Sequence, residues 1–125
     1  MEWLLKTLTI ILTDGPYISE LAEMAGKIAK AAMKYGQVNI FLYLDAVHIP
    51  KSGQSPAHFA NIGQIFSDLA AGGVRIEACP RCATARGYSP REETSQDYLP
   101  GIKITSLYNL AEMLGQSDKV ISLSR

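Results

Sequence analysis

Cysteine is scarce in this chain. Only Cys79 and Cys82 occur in 125 residues, too few for the disulfide framework that staples small secreted domains. Net charge is lacking as well. Lys plus Arg and Asp plus Glu number 12 each, giving a formal net charge of zero, which argues against nucleic acid or an anionic membrane held by bulk electrostatics. No apolar run reaches the ~20 residues a bilayer requires. The opening MEWLLKTLTIILTDG comes nearest, but Lys6 and three threonines interrupt it, no basic stretch precedes it and no small-residue cleavage site follows. Neither signal peptide nor membrane anchor is expected, and the reading is a cytoplasmic protein. Repeats, linkers and low-complexity tracts are absent too, so residues 1–125 are expected to form one domain with a core of its own.

What is present alternates strand with helix. Leu4 to Leu12 is apolar on both faces and rich in β-formers, as in the central strand of a parallel sheet. Thr13-Asp14-Gly15-Pro16 ends it, with Asp14 or Gly15 as a helix cap and Pro16 near the first helical position. A helix then carries Ile18, Leu21, Ala22, Ala25, Ile28, Ala29 and Ala32 at helical spacing and closes at Gly36. Val38 to Leu44 is a second buried strand, followed by a loop from Asp45 to Pro56. Ala57 to Ala71 reads as a helix burying Phe59, Ile62, Ile65, Phe66 and Leu69, ended by Gly72-Gly73. In the third strand, Arg75 and Glu77 alternate with Val74, Ile76 and Ala78, so one face of it should meet solvent or another subunit. Ser89 to Gly101 is a polar loop and Ile102 to Ile104 a short strand. Ser106 caps a helix whose inner face is Leu107, Leu110, Ala111 and Leu114 and which ends at Gly115; Lys119 to Leu123 is the last strand. This order predicts an α/β, three-layer sandwich around a mainly parallel sheet of about five strands with right-handed crossovers, of flavodoxin-like plan.

Both cysteines fall in one block, VRIEACPRCATARGY, from Val74 to Tyr88. With Cys79 near an N-cap and Pro80 at the first helical position, the first-turn amides are expected to point toward the sulfur. Those amides and the cation of Arg81 would favour a thiolate. A buried cysteine usually packs as a small hydrophobe, but two thiols three residues apart at a strand-to-helix turn point to redox, sulfur-transfer or metal chemistry. Zinc is poorly served, because a single Cys-x-x-Cys leaves His48 and His58 to converge as the other ligands. Flavin is poorly served too, since TDGPYIS lacks the hydroxyl run that would wrap a phosphate. No metal and no cofactor are expected.

Several other side chains belong near this rim, each with a plainer alternative. Asp14 and Tyr17 leave the first strand and either line the thiol pocket or serve as a helix cap and a packing residue. His48 follows the second strand as a proton donor or acceptor, or as an ordinary hydrogen-bonded histidine. Arg81 and Arg86 either hold an anionic sulfur species or a partner's carboxylates, or are simply solvated or salt-bridged.

The TDGPY turn, the FLYLDAVH segment, the AGGVRIEACPRCATARGY block, the ITSLYNLAEML helix and the closing DKVISLS strand together resemble the DsrE/DsrF-like family of small sulfur-relay proteins, with its TusD-like and YchN-like members. The resemblance spans nearly the whole chain and is most specific in ACPRCATARGY. It implies that Cys79, at the strand end, carries sulfur as a persulfide and exchanges it with donor and acceptor proteins. It also implies a homo-oligomer, commonly a trimer or hexamer, with a dimer as the smaller form. Cys82 occurs in only part of the family: it either releases the outer sulfur by forming a disulfide or fills space. Two other readings stand beside the relay, a dithiol redox protein using Cys79 and Cys82, and a binding or regulatory subunit of the same fold whose thiols are unused.

Overall fold

The computed structural model describes residues 6–125. In it, β1 (Thr7–Leu12), β2 (Gln37–Leu42), β3 (Arg75–Ala78), β4 (Lys103–Ile104) and β5 (Lys119–Leu123) form one sheet in the order β4-β3-β2-β1-β5. Every pairing is parallel, as the alternation of elements predicts. β1 lies inside the sheet between β2 and β5, while β2 occupies the middle. Leu4 and Leu5, the start of the expected first strand, lie outside the described residues.

Alternation of side chains along the strands separates two faces. On one, Ile10, Leu12, Ile40, Leu42 and Ile76 are all but fully buried beneath α1 (Leu21–Ala32) and α2 (Ile62–Ala71), which also pack on each other. Their contact is close: a Cβ added to Gly26 would stand 3.0 Å from Ile65 Cγ2. The opposite face carries Thr9, Asn39 and Glu77, all buried, and meets α4 (Leu107–Gln116). Helices on both faces make the three layers.

Of the alternating charges of β3, Glu77 proves to be internal and Arg75 part-exposed. Glu77 is only 6 % exposed, because α4 of the same chain covers it. Arg75 Nε donates to it at 2.6 Å, Thr105 Oγ1 at 2.7 Å and Asn109 Nδ2 at 2.9 Å, and Arg75 also reaches Glu112 at 3.1 Å. Burial alone would raise the Glu77 carboxyl, yet the hydrogen bonds from Arg75, Asn109 and Thr105 outweigh it and hold its pKa below the ordinary value. Neither solvent nor a second subunit is needed to satisfy this face.

Turning Asn109 toward Glu77 also sets the phase of α4. Met113 is its fully buried residue, Leu107 and Leu114 are exposed, and the helix continues through Gly115 to Gln116, so the expected apolar inner face is rotated outward. Two helix starts move as well. α1 begins at Leu21 and not at Pro16, with no side-chain cap: Tyr17 takes φ +68°, outside the helical region, and its hydroxyl is tied to another loop. α2 begins at Ile62 because Asn61 supplies the cap, its side chain accepting from Gln64 N–H, which leaves Phe59 70 % exposed.

Candidate functional site

The C-terminal ends of β1, β2 and β3 are aligned in register, Leu12 opposite Leu42 and Leu42 opposite Ala78. Three loops therefore leave the sheet side by side, on the rim where open α/β sheets collect ligands. Main-chain bonds knit them together: Tyr43 N–H to Leu12 O at 2.9 Å, Ala46 N–H to Thr13 O at 3.0 Å and Cys79 N–H to Leu42 O at 3.0 Å. Where a loop was expected after β2, residues Leu44–His48 form a 3₁₀ turn, the geometry that lets Ile49 N–H reach Ala46 O. It packs against α3 (Pro80–Ala85), the short helix that follows β3.

Cys79 is the N-cap of α3 and Pro80 its first residue, as the sequence predicts, but the sulfur accepts no first-turn amide. Pro80 has no N–H to offer, and Cys79, 1 % exposed, belongs to the hydrophobic core. The directed amide falls on the second thiol. Leu44 N–H donates to Cys82 Sγ at 3.2 Å, and Leu44 adopts φ +53°, a left-handed conformation rare for leucine and concentrated at functional positions. Cys82 itself is 8 % exposed. Burial pushes its thiol up, the Leu44 amide pulls it down, the adjacent Cys79 thiol pushes it up again and the Arg86 cation pulls it down, with a net rise.

Arg86 closes the group. Its Nη1 donates to Cys82 O at 3.1 Å and its Nε to Asp45 Oδ1 at 2.8 Å, and the hydrogen bond from Arg86 is the main reason the Asp45 carboxyl lies below its ordinary value. The cation acting on the Cys82 thiol is thus Arg86, and Arg81 is exposed on α3. Leu44 and Asp45 escaped the sequence reading. Their only signal was their place immediately after β2, inside the FLYLDAVH segment.

The remaining candidates are bonded to partners other than the thiols. Asp14, 6 % exposed, accepts from Ser19 Oγ at 2.5 Å and pairs with Arg125 Nε at 3.0 Å. Tyr17 donates from its hydroxyl to Gln54 Oε1 at 2.7 Å and accepts from Ile62 N–H at 3.2 Å, which pins the 54–62 loop. His48 Nδ1 lies 2.7 Å from Tyr88 OH, and the Tyr88 ring packs on Tyr98. What the rim brings together is Cys79, Cys82, Leu44, Asp45 and Arg86: two adjacent thiols, one directed amide and one ion-paired cation.

Comparison with known proteins agrees with the fold. The DsrE/DsrF-like family model matches residues 6–123. An uncharacterized protein of Methanopyrus kandleri is 30 % identical over 118 residues, 94 % of this chain and 93 % of that one. Another from Methanocaldococcus jannaschii is 30 % identical over 115 residues, 91 % of this chain and 96 % of its own. Protein YchN of Escherichia coli K12 is 28 % identical over 121 residues, spanning 94 % and 99 % of the two chains. The crystal structure of E. coli YchN superposes with a TM-score of 0.80, covering 95 % of this chain and all of that one.

Proposed function

Because the chain belongs to the DsrE/DsrF-like family, a family of the sulfur-relay type, we propose that it carries sulfane sulfur as a persulfide on Cys79 and passes it to the thiol of a partner protein. The observation that supports this reading is the pairing of Cys79 with Cys82 at the C-terminal rim of the sheet, with the Leu44 amide aimed at the sulfur of Cys82. In the loading step the Cys79 thiolate attacks the terminal sulfur of a donor persulfide, the donor leaves as a thiolate, and Cys79 holds the extra sulfur. Unloading is the reverse reaction with an acceptor thiolate. Both steps exchange sulfur without net oxidation, so neither needs a cofactor.

Contact between the thiols also favours a second reading. If Cys82 attacks the inner sulfur of the Cys79 persulfide, a Cys79–Cys82 disulfide forms and hydrosulfide leaves, after which a reductant must restore the pair. Mass spectrometry after incubation with inorganic polysulfide separates the two. The relay requires a gain of one sulfur that survives in Cys82→Ala and disappears in Cys79→Ala. Loss of two hydrogens without a lasting sulfur adduct favours the dithiol cycle, and no change in either mass favours a binding subunit whose thiols are unused.

We place this carrier in the cytoplasm, where thiols stay reduced, with donor and acceptor proteins as partners. Among the described residues no helix is long and apolar enough to cross a membrane. Self-association as a trimer or hexamer is supported by the apolar side chains exposed on α4 and β5, namely Leu107, Tyr108, Leu114 and Val120. Light scattering gives the subunit number directly, and a monomer, or a dimer, at working concentration excludes the larger assembly.

A further inference from the structure

Persulfide exchange demands that an incoming sulfur touch the receiving one, yet Cys79 is 1 % and Cys82 8 % exposed. The relay reading therefore needs a movement, and the structure holds an element built to make it. α3 has six residues and buries only Cys82 and Ala83, so little apolar surface resists its displacement. It begins at Cys79 itself and is followed by Gly87 at φ +93°, a position where an added Cβ would meet nothing within 4 Å. Its far end is held to the 3₁₀ turn by two polar links, Leu44 N–H to Cys82 Sγ and Arg86 Nε to Asp45 Oδ1.

We propose that the Asp45–Arg86 ion pair is a latch that keeps α3 closed over the two thiols, and that sulfur passes to or from a partner only when this pair is released. Asp45 is a positioning residue here: it touches neither sulfur and acts through Arg86. Its side chain is 57 % exposed and that of Arg86 27 %, so a partner docking on the rim reaches the pair before it reaches either thiol. Release also frees the Arg86 cation to face a thiolate at the moment one is needed. Among the described residues, His48 and Arg125 are the other groups whose fields reach Asp45, and both reinforce its negative charge.

This deepens the relay reading and rests on it for its purpose, while the measurement does not. The full chain is labelled with N-ethylmaleimide, a neutral reagent, and the modification of Cys79 and Cys82 is followed separately by peptide mass spectrometry from pH 6 to 10, a range set by ordinary thiol titration. In Asp45→Asn the rate constant of the ionised thiol, taken from the fitted pH profile, is expected to rise roughly fivefold, the scale set by an exposed ion pair. In the unaltered protein the same rate should climb with added salt, which screens such pairs, whereas in Asp45→Asn it should not. Asp45→Glu and the charge-swapped Asp45→Arg/Arg86→Asp should return to slow, salt-sensitive labelling. Thermal unfolding is recorded alongside, because a latch changes labelling without changing global stability. A salt-independent rate in the unaltered protein, an Asp45→Asn rate equal to it, or acceleration that merely tracks a lowered melting temperature overturns the latch. Sulfur loading from polysulfide in the same variants is scored separately: fast labelling without loading keeps the latch and removes the relay, and loading with unchanged labelling does the opposite.

Discussion

The backbone N–H of Leu44 points at Cys82 Sγ from 3.2 Å, and Leu44 holds φ +53° to put it there. A left-handed leucine costs roughly 1–2 kcal/mol, and the surrounding main-chain bonds, Tyr43 to Leu12 and Ala46 to Thr13, keep it in place. That amide stabilises charge on Cys82, but burial and the neighbouring Cys79 thiol win, so the Cys82 pKa stands above its ordinary value. Removing Cys79 takes away one of the raising influences. In Cys79→Ala the midpoint of Cys82 alkylation against pH is therefore expected to move down relative to the unaltered protein, as followed by peptide-resolved iodoacetamide labelling. An upward movement would mean that Cys79 helps ionise Cys82 and does not hinder it.

Glu77 is the buried charge of the sheet, and its three donors stop being satisfied when it is removed. Glu77→Ala leaves Arg75, Thr105 and Asn109 without their shared acceptor, and the expected loss is about 2–3 kcal/mol, the scale of hydrogen bonds to a buried charged group. Thermal unfolding should register this as a drop of roughly 4 °C per kcal/mol in a chain of this size. The sign with pH follows from the depressed folded pKa. The carboxylate's contribution is fully present above the ordinary glutamate value of 4.5 and is lost as pH falls below it through the lower folded value. The stability gap between the unaltered protein and Glu77→Gln should accordingly narrow in acid, and a gap constant from pH 7 to pH 3 would remove Glu77 from the acid response.

β1 and β2 were the most legible strands, because buried parallel strands are short continuous apolar runs. Hydrophobic periodicity failed where a polar bond decided the outcome. Nothing in the run LYNLAEML marks Asn109 as the partner of Glu77, so the phase of α4 could not be read from Leu107, Leu110 and Leu114 alone. Pro16 looks like a helix start, but the Tyr17 hydroxyl reaches Gln54 and Ile62, contacts 37 and 45 residues away in sequence that no local signal announces. The same holds at the site. Cys79 and Pro80 were legible as a cap because cap and first turn are adjacent in sequence, whereas the amide of Leu44 arrives across 38 residues.

Tyr17 gives a test of such a distant pin that leaves the core untouched. The residue is 39 % exposed, its ring packs on Phe59, and its hydroxyl joins the loop after β1 to Gln54 and to the N-terminus of α2. Tyr17→Phe should lower the melting temperature only slightly, since one part-exposed hydrogen-bonding group contributes about 1 kcal/mol. The local effect should be larger, with faster amide exchange at residues 54–62 and none at β2 or β3. Uniform acceleration across the sheet would show that the hydroxyl supports the whole fold and does not merely pin the loop.

Two glycines give opposite expected signs and so check the packing from both sides. A Cβ on Gly36 would stand 2.1 Å from Lys6 O, where Gln37 N–H donates to that same carbonyl at 3.0 Å and fixes the register of β2 against β1. Backbone cannot yield as a side-chain tip can, so Gly36→Ala should destabilise by at least about 2 kcal/mol, within the range for overpacking. Gly115 lies inside α4 with nothing within 4 Å of its would-be Cβ. Gly115→Ala should stabilise by about 0.5–1 kcal/mol, the helix-propensity difference alone. Urea unfolding of the two variants measures both, and a Gly115→Ala variant less stable than the unaltered protein would mean that the surface of α4 at this position is not open.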